Sequence, residues 1–586
     1  MEQVKADAAL ALQETTEKGQ EKIRRRSPQF FQYLKEKMGG WSTELLIYLG
    51  AFLVTLLLFC VVEPLIELQR KGAVAQSLIA VGFAIILLFA AYMGITKRLT
   101  TAHVIWLLLL AGFLLRVGYM LYTAANARQQ DTYSKNFNGH EAYAWTIFNT
   151  GKLPTTNDYQ FYHPPLNALI QAGFMKFMSG LTQALTKIFG LGDYFPSAFQ
   201  YARPSYILDE TRWFLYSSCQ ILSVLYSMIT AVVLVKTVWL FDFSKKTKVL
   251  LSAFVIFYPR HIQFAGMLNN DAISYMLGMI AIYQALKWQK GSSHFVRILL
   301  CALSVGLGMM AKLSSATVCL PIAGIFIYEF ICTLLKKEKA MPFWKMFAQY
   351  AAFLLVCAPI GLWFQVYANI RFDQEFGHVF SNLNKALSTA RHSFFERFFI
   401  AFDVSEYIGS LYCVPFSQMD PTRTEYLVDG NYNLFAYALK SSIFGEFSYW
   451  QGEGFAVSAL LFAYLSAGLL AISLVWAVVC CLRTRGKDDG VFKRAQISIP
   501  DLLFVFLLVQ SQVLSEVYFY IQMPYACTMD FRYIMPLILG IALTLGYTGK
   551  ILAVEGGKFS TAINRLTFLS TAAFLISSTL FYCVCI

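Results

Sequence analysis

The chain has 586 residues, of which 57% are hydrophobic and only 14% charged. A soluble domain carries roughly 25% charged residues, so a deficit spread over most of the length excludes an ordinary globular protein and points to many apolar spans. The net charge of +13 would suit nucleic acid, but most basic residues stand in short stretches between apolar segments, where they orient a membrane protein; no nucleic-acid partner is expected.

Residues 1–43 are polar, mixed in charge and rich in helix formers, and include Arg24, Arg25 and Arg26. No short apolar stretch with a small-residue cleavage site follows, so they read as a cytoplasmic helical extension near the membrane rather than a removed signal peptide. An apolar helix needs about 20 residues to cross the hydrocarbon core. By that measure about 13 spans are expected, at 44–64, 76–96, 102–124, 213–241, 249–266, 272–288, 297–311, 315–335, 346–369, 455–482, 500–522, 531–549 and 565–585. The expected class is an all-α polytopic membrane protein. Most of the 12 Cys fall inside these spans as small buried hydrophobes, and Cys480 and Cys481 fit no metal-ligand spacing.

With the N-terminus in the cytoplasm, every alternate loop is basic, from Lys97 and Arg98 to Lys550, Lys558 and Arg565. The same assignment puts two long loops outside, 125–212 and 370–454, and loops of that length are uncommon without function. Within the first, 139–150 and 164–189 show apolar residues at helical spacing.

The outer segments carry the candidate chemistry. Asp131 comes soon after a span ends, near the membrane–water boundary, where a carboxylate can serve as a general base; the plain alternative is a solvated loop acid. His140 and Glu141 follow at the start of a helix. Glu141 there favours the helix dipole whatever else it does, and His140 is either an ordinary hydrogen-bonding residue or a substrate or metal ligand. In Phe161-Tyr162-His163-Pro164-Pro165-Leu166 the prolines hold His163 extended before a helix, which presents its side chain at little entropic cost. Further along stand Arg260, for which snorkelling alone is an explanation, then Asn269, Asn270 and Asp271, then Lys312 in a nearly continuous apolar run, either a snorkelling cation at a hairpin or a cation for an anionic ligand. Glu446 and the pair Asp530 and Arg532 complete the set. A guanidinium such as that of Arg532 suits a phosphate. Polar residues at span ends are costly and often mark a site. Carboxylates and cations mapped to one face suit acid/base chemistry on an amphiphile with an anionic head.

On these residues the chain resembles the GT-C membrane glycosyltransferases, above all the bacterial relatives of dolichyl-phosphate-mannose protein mannosyltransferases and the lipid A aminoarabinose transferase. The resemblance runs over about residues 100–550, through Asp131, GHEAYAWTIFNTGKLP, FYHPPL, NNDAISYMLG, GMMAKLSSATVCLP, LKSSIFGEF and MDFRYIMP. It implies a GT-C-like domain over 102–586, preceded by two additional helices over 44–101. It implies an inverting transfer, on the outer face of a cell-envelope membrane such as the bacterial plasma membrane. The sugar would pass from a polyprenyl-phosphate donor to a hydroxyl of a protein, glycan or lipid acceptor. Asp131 would be the base, with His163 lining the same cavity and Glu141 as a further catalytic candidate. Substrate contacts would fall to His140, Arg260, Asn270, Asp271, Lys312, Glu446, Asp530 and Arg532, with Lys312 and Arg532 at the lipid phosphate. Many relatives carry a second acid directly after the catalytic one; here Asp131 is followed by Thr132, which argues against a paired-carboxylate metal site. A divalent metal is nevertheless compatible with five histidines on the outer side, although their spacing forms no recognisable ligand set. The alternatives are a multi-pass transporter or lipid-linked-sugar flippase, and a non-catalytic assembly protein. No internal repeat of the transporter kind is visible, and the polar residues gather at outer ends rather than mid-membrane.

Overall fold

The computed structural model describes residues 40–585, except 67, 126–130, 133–136, 191–209, 292–294, 338–340, 378–387, 400–431, 446–452 and 488. The expected extension over 1–43 lies almost wholly outside the described residues, as does Glu446. The chain divides into two units, Met1–Leu57 and Leu58–Ile586. What is described of the first is the leading part of a helix, α1 (Gly40–Leu65), with Leu45, Leu49, Leu53 and Leu57 exposed along it. Everything below concerns the second unit.

That unit is all-helical among its described residues, with a single isolated bridge between Ser388 and Tyr525. After α1 come α2 (Leu68–Ile95), α3 (Thr101–Tyr122), α4 (His140–Thr150), α5 (Leu166–Phe189), α6 (Glu210–Ser218), α7 (Gln220–Trp239), α8 (Lys245–Phe257), α9 (Pro259–Gln263), α10 (Asp271–Lys290) and α11 (Phe295–Ala311). There follow α12 (Cys319–Leu334), α13 (Phe343–Phe372), α14 (Phe394–Phe398), α15 (Leu434–Phe444), α16 (Glu453–Arg483), α17 (Val491–Arg494), α18 (Ile499–Gln522), α19 (Leu537–Glu555) and α20 (Lys558–Val584). Over the whole described chain ten helices are long and apolar enough to cross a membrane, or eleven if α8 and α9 with the turn that follows, bent by 47°, form one span. This is the architecture of a multi-pass integral membrane protein. The segments expected to cross at 272–288 and 297–311 are also helical, as α10 and α11. α10 is buried along nearly its whole length, which explains why its composition is less apolar than that of its neighbours: it faces protein, not lipid. α11 has only 17 residues.

Local signals explain where several elements begin and end. The Thr100 hydroxyl caps α3 by accepting from the His103 amide, and Ser244 caps α8 through Thr247 in the same way. Pro259 breaks the α8–α9 segment because it has no N–H to donate. The carbonyls this frees are met by two buried side chains. Arg116 of α3 donates to the Ile256 carbonyl at 2.9 Å, and the His261 ring contacts the Val255 carbonyl at 3.0 Å. The bend delivers Arg260 into the protein interior.

Two helices, α4 and α5, appear where 139–150 and 164–189 show helical spacing. α5 anchors a distant turn: Asn167 and Gln171 both donate to the Leu268 carbonyl, at 3.2 and 2.6 Å.

Candidate functional site

Asp131 sits in the left-handed region, with φ +64. That conformation costs a non-glycine residue roughly 1–2 kcal/mol, though Asp tolerates it better than most. The first turn of α4 holds it there. His140 donates its N–H to the Asp131 carbonyl at 3.0 Å, and Glu141 donates to Thr132 at 2.9 Å. Gly139 permits the approach: a Cβ on it would lie 2.5 Å from the Thr132 carbonyl oxygen and 3.0 Å from that of Asp131. The Asp131 carboxylate is held on one side only. Its Oδ1 accepts from the Tyr159 hydroxyl at 2.8 Å, while its Oδ2 lies 3.8 Å from Arg532, too far for a formed hydrogen bond. Its side chain remains 31% exposed.

Behind Asp131 the charged groups are buried and alternate in sign. Arg532 lies 3.7 Å from Asp530, and Asp530 is ion-paired with Arg260. Arg260 and Asp530 are 1% and 0% exposed, so the expectation that Arg260 snorkels to the surface is corrected: the bend at Pro259 turns it inward onto a carboxylate. Lys312 is likewise not a snorkelling cation. The backbone leaves α11 in an extended conformation there, and the ammonium pairs with Asp271. Tyr533 links the two arms, with Lys312 4.8 Å and Arg532 5.0 Å from its ring centroid, both within cation–π range. Three cations and three aspartates thus balance within one network, as buried charges must.

The surrounding polar residues hold this network in place. Asn270 donates to the Ala311 carbonyl at 3.0 Å, occupying the C-terminal end of α11 beside Lys312. Asn269 accepts the Asp271 amide at 3.3 Å. Gly445, at φ +68, ends α15 directly against the Arg260 guanidinium, where a side chain would collide. The Ser441 hydroxyl accepts from the Phe531 amide at 3.0 Å.

His140 and His163 stack at the edge of the site, 5.5 Å between centroids and 12° between planes. Burial pushes the His140 imidazole down to about 4; Asp131 and Asp271 oppose this, while Lys312 and Arg532 add to it. His163 is held well below its ordinary range, by burial first and then by His140, Lys312 and Arg532. Both rings are therefore neutral near pH 7. Burial, with Asp131 beside it, also keeps the Tyr159 phenol protonated.

Eight of the expected residues thus meet at one place: Asp131, His140, His163, Arg260, Asp271, Lys312, Asp530 and Arg532. Asn270 supports the cluster from beneath. Glu141 is taken up elsewhere, in a two-pronged pair with Arg212 at 2.5 and 2.6 Å, and Arg212 lies over Trp145. Burial pushes the Glu141 carboxyl above its ordinary range, against the opposing pull of Arg212. The sequence reading missed Tyr159 and Tyr533 as site partners. It also passed over Arg116 and Glu516, although a charged residue inside an apolar span is the signal that would have found both. Among the described residues no three His, Cys, Asp or Glu side chains come together as a metal site. No protein-family model matches the chain, and no curated protein matches it.

Proposed function

We propose that this protein is an inverting glycosyltransferase of the GT-C kind, moving a sugar from a polyprenyl-phosphate donor to an acceptor hydroxyl. One observation carries the reading: a half-exposed carboxylate, Asp131, stands in front of a buried set of cations contributed by distant segments. In such a reaction the Asp131 carboxylate takes the proton of the acceptor hydroxyl. The hydroxyl oxygen bonds to the anomeric carbon as the bond from that carbon to the phosphate oxygen breaks, and the electron pair leaves with the phosphate. Arg532, 3.8 Å from Asp131, and Lys312, which shares the Tyr533 ring with it, are the groups suited to that growing negative charge. Tyr159 orients the base, and the neutral histidines His140 and His163 are suited to hydrogen-bond sugar or acceptor hydroxyls without adding charge.

On this reading the bent α8–α9 segment, α10 and α11 also cross the membrane, giving about 13 spans, with a cytoplasmic N-terminus and the site at the outer face of an envelope membrane such as the bacterial plasma membrane. The acceptor is then a glycan, lipid or secreted protein. The test is Asp131→Asn in proteoliposomes supplied with polyprenyl-phosphate sugars. Loss of a general base lowers turnover by about 10²- to 10⁴-fold. Unchanged transfer at normal protein levels refutes the assignment.

A further inference from the structure

α18 is long and apolar enough to cross a membrane, yet its buried face carries Gln512 and Glu516, 0% and 3% exposed. Residues four apart lie one above the other on a helix, so the two form a short polar stripe. Each has a buried Oε1 with no hydrogen-bond partner among the described residues. Gln512 uses its amide N–H on Ser511, at 3.1 Å, which leaves the carbonyl oxygen as its acceptor. α18 meets the charged network through Phe519, whose ring lies 5.1 Å from that of Tyr533, and Glu516 lies within electrostatic reach of Asp530, Arg532 and Lys312. Buried acceptors without donors are destabilising, and an apolar helix gains nothing from carrying two of them in one stripe. Such acceptors are complementary to hydroxyl groups.

We infer that Gln512 and Glu516 form a hydroxyl-binding edge for the sugar of the lipid-linked donor, next to the cations that would hold its phosphate. This rests on the glycosyltransferase reading. The two residues are binding residues of the donor, and they trade stability for recognition.

The test uses the full chain in nanodiscs, with decaprenyl phosphate and a panel of decaprenyl-phosphate hexoses and pentoses as probes. For the wild type, at least one sugar-bearing lipid binds about tenfold or more tightly than decaprenyl phosphate. In Gln512→Leu/Glu516→Leu that gain disappears, binding of bare decaprenyl phosphate stays within about twofold, and the thermal midpoint is equal or higher, because unpaired polar groups have been replaced by apolar ones. Glu516→Gln keeps an acceptor oxygen and retains most of the gain. A sugar-dependent gain that survives the double leucine variant overturns the inference. So does a lowered thermal midpoint with equal loss of both probes, which makes the stripe structural. If the wild type binds bare decaprenyl phosphate but shows no gain for any sugar, the stripe fails while the glycosyltransferase reading stands. If it binds no member of the panel, both fail.

Discussion

Gly139→Ala isolates the placement of Asp131 from its chemistry. Gly139 has no unusual backbone angle, with φ −75, so alanine meets no conformational strain there. The obstacle is the Thr132 carbonyl oxygen, 2.5 Å from the new Cβ, with the Asp131 carbonyl at 3.0 Å. Both are backbone atoms, so no rotamer change relieves the clash. Restoring an ordinary contact of about 3.5 Å requires the Asp131–Thr132 backbone and the α4 N-terminus to separate by roughly 1 Å. That weakens both hydrogen bonds donated by the α4 amides, a loss of about 1–3 kcal/mol at roughly 0.5–1.5 kcal/mol each. It also carries the carboxylate away from Tyr159 and Arg532. Misplacement of about 1 Å at a reacting group lowers turnover by about 10²-fold. Gly180→Ala is the control: it lies inside α5 with nothing near its added methyl, and mid-helix alanine stabilises by about 0.5–1 kcal/mol. Transfer from a polyprenyl-phosphate sugar is measured in proteoliposomes, with thermal unfolding of the same preparations in parallel. Gly139→Ala with turnover within twofold of wild type and an unchanged midpoint would show that α4 does not set the position of Asp131.

Removing one partner of the buried Arg260–Asp530 pair strands a charge, so Arg260→Met lowers stability by about 3–5 kcal/mol; Arg260→Met/Asp530→Leu recovers part of that loss, and thermal unfolding showing strict additivity would refute direct pairing. Burial holds His140 at about 4 and His163 well below its usual range, while in the unfolded chain both take up protons near 6.5. As pH falls below that value the unfolded state binds protons the folded state does not, so stability present at pH 7 is lost progressively towards about pH 4, by an amount of order 3 kcal/mol for His140. Thermal midpoints from pH 7 to 4.5 should therefore fall, and less steeply in His140→Gln; identical slopes contradict burial as the cause. The orientation has its own check: single cysteines at Asn157 and Lys246 should label from opposite sides of the membrane, and labelling of both from one side reverses the map.

The residues legible in the sequence were those whose position alone was anomalous. Asp271, Lys312 and Arg532 are polar where apolar residues would be cheaper, Asp131 comes soon after a span ends, and the prolines after His163 fix its backbone whatever it touches. Their convergence was readable only as a common face. What could not be read is partner choice across long sequence separations. Arg260 beside the aromatic Tyr258 looks like any interfacial arginine; only the bend at Pro259 makes it a buried partner for Asp530, 270 residues away. Glu141 failed in the opposite sense, because a first-turn acid is favourable to its helix in any case, and nothing local announces Arg212 as the group that claims it.

The exposure of the charged groups orders their roles. Moving inward from Asp131 at 31%, the network passes through Arg532 at 6% to the Asp530–Arg260 pair at 0% and 1%. Charges that satisfy one another in the interior do not hold the Asp131 carboxylate, which Tyr159 orients, but they set the field it experiences. Lys312, at 13%, is the intermediate case: it pairs with Asp271 yet stays close enough to the surface to exchange that partner for an incoming anion. A phosphate arriving beside Tyr533 would meet Lys312 and Arg532 together, whereas Arg260 would remain committed to Asp530. Among the three cations, Lys312 and Arg532 should therefore govern affinity for a lipid phosphate, and Arg260 should govern stability.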